Sequence, residues 1–110
     1  MGLIPEFFAQ VTGFEWDDGN SDKNWFQHRV TRAEAEQVFL NRPLLLAQSL
    51  GRTQVEVRYF TLGRTDLNRH LAIAFAVRGA LLRVISARPM SRRERRSYAQ
   101  AQAAETNPTV

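Results

Sequence analysis

Two hydrophobic periods divide this chain. In 69–77, Leu71, Ile73, Phe75 and Val77 fall on one side of an extended backbone. In 54–62, Val55, Val57 and Tyr59 alternate with Glu56, Arg58 and Phe60, and in 80–87 Leu82 and Val84 alternate with Leu81, Arg83 and Ile85. Successive strand side chains point to opposite faces, so each run reads as a half-buried strand. Residues 44–50 form a short apolar run, and Phe14-Glu15-Trp16 is a brief alternating piece. Arg78-Gly79 and the turn-rich 63–68 join the later runs, the signature of an antiparallel meander.

The other period is helical. Asp18-Gly19 reads as a turn, after which Asn20 or Ser21 caps a helix to about His28, with Trp25 and Phe26 as its apolar anchors. Thr31 and Glu34 form a capping box, in which the hydroxyl and the carboxylate satisfy each other's backbone amides. The helix they start buries Ala35, Val38 and Phe39 and ends at Asn41-Arg42-Pro43, because proline pushes the preceding residue out of helical geometry. Ser91 and Glu94 form a second box and start a helix over 92 to about 103, whose apolar content is Tyr98 and a few alanines. The order predicts an α+β domain: a small antiparallel sheet of about four strands, two N-terminal helices and one C-terminal helix. Residues 1–13 read as an extension, 14–104 as a single domain and 105–110 as a tail.

Composition narrows the function. A length of 110 residues suits one domain, and 44% hydrophobic with 24% charged residues excludes wholesale disorder. No apolar run reaches the roughly 18 residues of a membrane span. There is no cysteine, hence no disulfide framework or zinc ribbon, and two histidines alone do not furnish a structural metal site. No metal, no other cofactor and no membrane partner are therefore expected. The first residues lack the basic n-region of a secretory signal, which makes the cytoplasm the expected location.

Charge is the distinctive feature. Fourteen of the 15 basic residues are Arg, with Lys23 the exception, and the formal net charge is +4. Residues 1–28 carry a net −4, whereas 78–98, with seven Arg against Glu94, carry a net +6. A late basic cluster attracts polyanions, and guanidinium pairs bidentately with phosphate.

No carboxylate pair, Gly-rich phosphate loop or Ser/His/acid arrangement stands out. What remains is a set able to cut RNA without a metal, through the RNA's own 2′-hydroxyl. A base takes that proton, cations stabilise the phosphorane and an acid protonates the leaving oxygen. His28 fits proton transfer, with Glu56 a second candidate. Arg58 and Arg83 interrupt strand patterns, as expected of phosphate ligands, although a cross-strand salt bridge would also account for them. His28 could instead only cap a helix end, His70 lies opposite an apolar face, and Tyr98 could anchor the last helix.

Together these motifs resemble the BrnT toxin family. The residues that carry the resemblance are Phe14-Glu15-Trp16-Asp17, Asn24, His28-Arg29-Val30, Glu34-Ala35, Val38-Phe39 and Asn41 to Pro43. They continue with Glu56-Val57-Arg58, Leu62-Gly63, then Leu82-Arg83-Val84-Ile85-Ser86-Ala87-Arg88, and finally Arg92-Arg93-Glu94-Arg95-Arg96 with Tyr98. The resemblance implies a compact RelE-like fold and a metal-independent ribonuclease of a bacterial type II toxin–antitoxin system that halts translation. It also implies neutralisation by a cognate BrnA-like antitoxin carrying a ribbon-helix-helix DNA-binding part, so that DNA is met only through the antitoxin complex. On this basis Arg58, Arg83 and Arg88 are expected at the scissile phosphate, with His28 or Glu56 moving protons and Arg92, Arg93 and Tyr98 positioning RNA.

Two departures matter. The family's Lys-His-Gly-Val is Gln27-His28-Arg29-Val30 here, which removes a cation beside His28 and the glycine of a left-handed helix cap. The alternative is then a diverged, non-catalytic module that binds an antitoxin-like partner or nucleic acid. A DNA-binding repressor fits less well, because no helix-turn-helix with a basic recognition helix is visible.

Overall fold

The computed structural model describes residues 10–52 and 57–106. Its elements are β1 (Gly13–Phe14), α1 (Asp18–His28), α2 (Arg32–Leu40), β2 (Leu45–Arg52), β3 (Val57–Arg64), β4 (His70–Arg78), β5 (Leu81–Pro89) and α3 (Arg92–Thr106). The fold is α+β, as the patterns predict. The sheet has five strands in the order β1-β5-β4-β3-β2. The β2–β5 part is an antiparallel meander, and the two-residue β1 adds a parallel edge against Leu81 and Leu82. Gly13, expected in the extension, therefore belongs to the sheet, and Val11 packs on the core.

The alternation in β4 sorts the two faces. Leu71, Ile73 and Phe75 are fully buried on one face with Val84, Leu82, Val38 and Val30. Phe39 of α2 meets Phe75 edge-on at 5.1 Å and Phe14 at 5.7 Å, and so joins α2, β4 and β1 through aromatic contacts. Gly63 lets α2 lie close on β3, since a Cβ there would collide with the Val38 side chain. On the opposite face α3 covers one end only, over Leu62, Ala72 and Met90, with Tyr98 at the centre of the contact.

Helix α1 departs from its predicted anchoring. It starts at Asp18 behind the N-cap Asp17, so the expected turn at Asp18-Gly19 is its first turn. Trp25 and Phe26 are not its anchors: they are 43% and 72% exposed. The buried residues are Asn20 and Asn24. The reason is the sheet edge. Beyond the short β1, strand β5 presents unpaired backbone groups, which need partners when a helix covers them. Asn20 Nδ2 donates to the Val84 carbonyl at 3.0 Å, and the Ala87 amide donates to Asn24 Oδ1 at 2.9 Å.

Arg29 ends α1 in the left-handed region at φ 55°, the backbone geometry that glycine adopts most readily. Its guanidinium lies 5.0 Å from the Trp25 ring centroid. Arg69 then ties the next junction: it donates to the carbonyls of Arg29 (2.7 Å) and His28 (3.1 Å) and pairs with Glu34 (3.0 Å) of the α2 capping box.

Candidate functional site

The half of the second sheet face that α3 leaves open carries the charge. Its geometry follows from one irregularity in β5. Ala74 pairs with Ser86 but Phe75 pairs with Val84, so Ile85 is an extra residue, a bulge. In a strand with strict alternation Ala87 and Val84 would face opposite ways. The bulge lets Ala87, Val84 and Leu82 all enter the core, and it turns Arg83 to the open face with Ser86 and Arg88.

Arg83 then falls in one cross-strand row with Ala76 and Arg58: Ala76 of β4 pairs with Arg58 of β3 on one side and Arg83 of β5 on the other. The small, fully buried Ala76 lies between two guanidinium-bearing positions. A cleft of about 240 Å³ opens here, lined by Arg58, Arg83, Arg78 and Lys23, with Asn20 and Ile85 at its wall. Among the described lining residues there are four cations and no carboxylate, which suits a phosphate.

Two acids stand just outside this lining. Asp17 Oδ2 pairs with Arg83 at 3.0 Å, and Glu15 Oε1 lies 3.6 Å from Arg78. The Arg83 hydrogen bond, followed by the Asn20 backbone amide, holds the Asp17 carboxyl below its usual range. Glu15 Oε1 is buried and takes no hydrogen bond, which leaves the Arg78 charge as its compensation.

The expected site residues separate into three groups. Arg58 and Arg83 come together. Arg88 shares their face two rows along, opposite Ala72, but is held by Glu94 through bonds of 2.8 and 3.0 Å and lies over Phe60 at 5.7 Å. Arg92 and Arg93 are exposed at the start of α3, where Arg93 borders a wider groove of about 630 Å³ between α3 and the Leu45, Phe60 and Leu62 side chains. His28 ends α1, five residues or about 7.5 Å of helix beyond Lys23, and is not among the residues lining the cleft. Tyr98, expected to position RNA, is fully buried with its hydroxyl donating to the Pro43 carbonyl at 2.6 Å, so it anchors α3 instead. Glu56 lies outside the described residues.

Sequence reasoning missed Lys23, Arg78, Glu15 and Asp17. One signal was available: Phe14-Glu15-Trp16-Asp17 alternates, so its two acids share a face once Phe14 and Trp16 enter the core. Among the described residues no group of three or more His, Cys, Asp or Glu could hold a metal ion, and no helix is long and apolar enough to cross a membrane.

Comparison with known proteins adds two findings. The model of a family described as the ribonuclease toxin BrnT of type II toxin–antitoxin systems matches residues 16–94. The crystal structure of the Brucella abortus ribonuclease toxin BrnT resembles this fold with a TM-score of 0.51, covering 74% of this chain and 100% of that one at 21% sequence identity. No curated protein matches the chain at a significant level.

Proposed function

The chain belongs to the BrnT family of type II ribonuclease toxins, and from that premise we propose that it is a metal-independent endoribonuclease that arrests translation. Cleavage of RNA and pairing with an antitoxin come with the family. The metal-free mechanism, a BrnA-like ribbon-helix-helix antitoxin and a cytoplasmic setting are the finer parts of the proposal.

The observation that carries it is the Arg58–Ala76–Arg83 row, beside Lys23 and Arg78. A phosphodiester seated there has cations on both sides. The 2′-hydroxyl gives its proton to a base, its oxygen bonds to phosphorus, the bond from phosphorus to the 5′-oxygen breaks, and that oxygen takes up a proton. A 2′,3′-cyclic phosphate remains. The extra negative charge on the phosphorane is what Arg58 and Arg83 stabilise. Arg88, fixed by Glu94, extends the cationic row toward α3, where Arg92 and Arg93 offer further phosphate contacts. Of the two proton-transfer candidates we assign the role to Glu56, two positions before Arg58 in the alternation of the sequence. His28 is not among the residues that line the cleft.

A second reading has its own support. The described lining holds neither an imidazole nor a carboxylate, as a module that binds RNA or an antitoxin without cutting would have. Incubating purified protein with RNA in EDTA separates the two. The ribonuclease yields 2′,3′-cyclic phosphate ends and the binding module leaves RNA intact. Induced expression gives the same division, with growth arrest for the toxin and relief on Arg83→Ala.

A further inference from the structure

The Asp17–Arg83 pair belongs to a larger closed arrangement. The alternation of Phe14-Glu15-Trp16-Asp17 sends Phe14 and Trp16 to the core, so Asp17 emerges beside the cleft. Its two carboxylate oxygens have different partners. Oδ1 accepts from the Asn20 backbone amide at 3.0 Å, whereas Oδ2 meets Arg83 Nη1 at 3.0 Å. Asn20 is itself fixed: its side chain accepts from the Asp17 amide at 2.8 Å and donates to the carbonyls of Val84 at 3.0 Å and Glu15 at 3.2 Å. Val84 follows Arg83 in β5. A ring therefore runs from the β5 backbone through Asn20 and Asp17 back to the Arg83 guanidinium.

We propose that Asp17 is a positioning residue, which holds the Arg83 guanidinium in the orientation that receives the scissile phosphate. The proposal rests on the reading of the cleft as a phosphate site. An Arg side chain has many rotamers, and fixing one before substrate arrives removes the need to reorganise as charge develops. The ring is suited to this because both of its ends are tied to rigid elements, the first turn of α1 and strand β5. Asp17 takes one of the five guanidinium donors at the stated distance. Its side chain is 56% exposed while that of Arg83 is 19% exposed, so the carboxylate stands on the solvent side of the pair.

A competing role has the opposite consequence. If the carboxylate merely occupied the phosphate's place, its removal would strengthen RNA binding and speed cleavage.

Asp17→Asn separates these roles. Asn caps helices as well as Asp does, so α1 is retained, while the charge on Arg83 is lost. We expect single-turnover cleavage to fall about tenfold with KM not raised, a modest share of the loss that follows removal of a whole transition-state donor. Adding Asp17→Asn to Arg83→Ala should cause no further loss, because the first acts through the second. Unchanged or faster cleavage, or additive losses, overturns the proposal. The Arg83 guanidinium protons in NMR spectra give a readout without RNA: resolved and slowly rotating in the parent protein, averaged in Asp17→Asn. A parent protein that cuts no RNA sinks the ribonuclease reading, and the spectra still decide the positioning role. Equal mobility of Arg83 in both proteins overturns it.

Discussion

Arg88 and Glu94 face each other in a two-pronged ion pair, with Nη1 to Oε1 at 2.8 Å and Nη2 to Oε2 at 3.0 Å. Glu94 also closes the capping box of α3, accepting from the Ser91 amide at 2.8 Å. One carboxylate thus starts the last helix and ties it to the last strand. Glu34 likewise closes the capping box of α2 with Thr31, and through Arg69 it ties that helix to the loop before β4 and to the end of α1.

The Arg88 hydrogen bond, acting against burial and aided by the Ser91 amide, pushes the Glu94 carboxyl down to about 2. Its folded value lies below its unfolded one. It therefore stabilises the fold fully above pH ~4.5, and this contribution is lost as pH falls toward 2. Glu94→Gln should cost about 1–3 kcal/mol at pH 7. Urea unfolding at several pH values checks it: the gap to the parent protein should close between pH ~4.5 and ~2.

Arg58→Ala and Arg83→Ala should each slow RNA cleavage in EDTA by about 10²–10³-fold, the usual effect of removing one preorganised transition-state donor. Single-turnover assays measure this, and unchanged circular dichroism shows that the fold is kept. If either variant cleaved at the parent rate, that Arg would have no place at the phosphate.

His28→Ala should leave cleavage within about twofold of the parent, because loss of a general acid or base costs about 10²–10⁴-fold and His28 is not among the residues lining the cleft. Glu56→Gln should instead show the larger loss. A pH–rate profile on both variants tests the assignment, and the reverse pattern would restore His28 to the chemistry.

Asn24→Ala should destabilise by about 1–3 kcal/mol, because the buried Ala87 amide loses its acceptor. Phe26→Ser should change stability by less than about 0.5 kcal/mol, since that ring is exposed. Thermal unfolding of the two variants compares a polar anchor with an apolar residue on the same helix.

Tyr98→Phe should cost about 1–3 kcal/mol by leaving the buried Pro43 carbonyl without its donor. RNA affinity should be unchanged, because no part of Tyr98 reaches the surface. Filter binding alongside unfolding measures both quantities. Weaker RNA binding in a fully folded Tyr98→Phe protein would contradict the anchoring role.

What the sequence determined by itself is local. Both predicted capping boxes form, Thr31 with Glu34 and Ser91 with Glu94, because a capping box needs only four consecutive residues. Leu71, Ile73 and Phe75 share a buried face, because strand alternation is a property of the chain alone. Long-range pairing decided the rest. Val84 and Ala87 enter the core together through the Ile85 bulge, and only that slip brings Arg83 to the open face in line with Arg58. Asn20 and Asn24 are buried because they meet an unpaired strand edge, which exists only once the sheet has formed. The same late Arg cluster that is visible in the chain is divided by its tertiary partners. Glu94 takes Arg88, Asp17 takes Arg83, and the cleft gathers Lys23 and Arg78 from segments with no common pattern. Charge can be counted along a sequence, but which charges meet a ligand depends on the face and partner each receives when distant strands align.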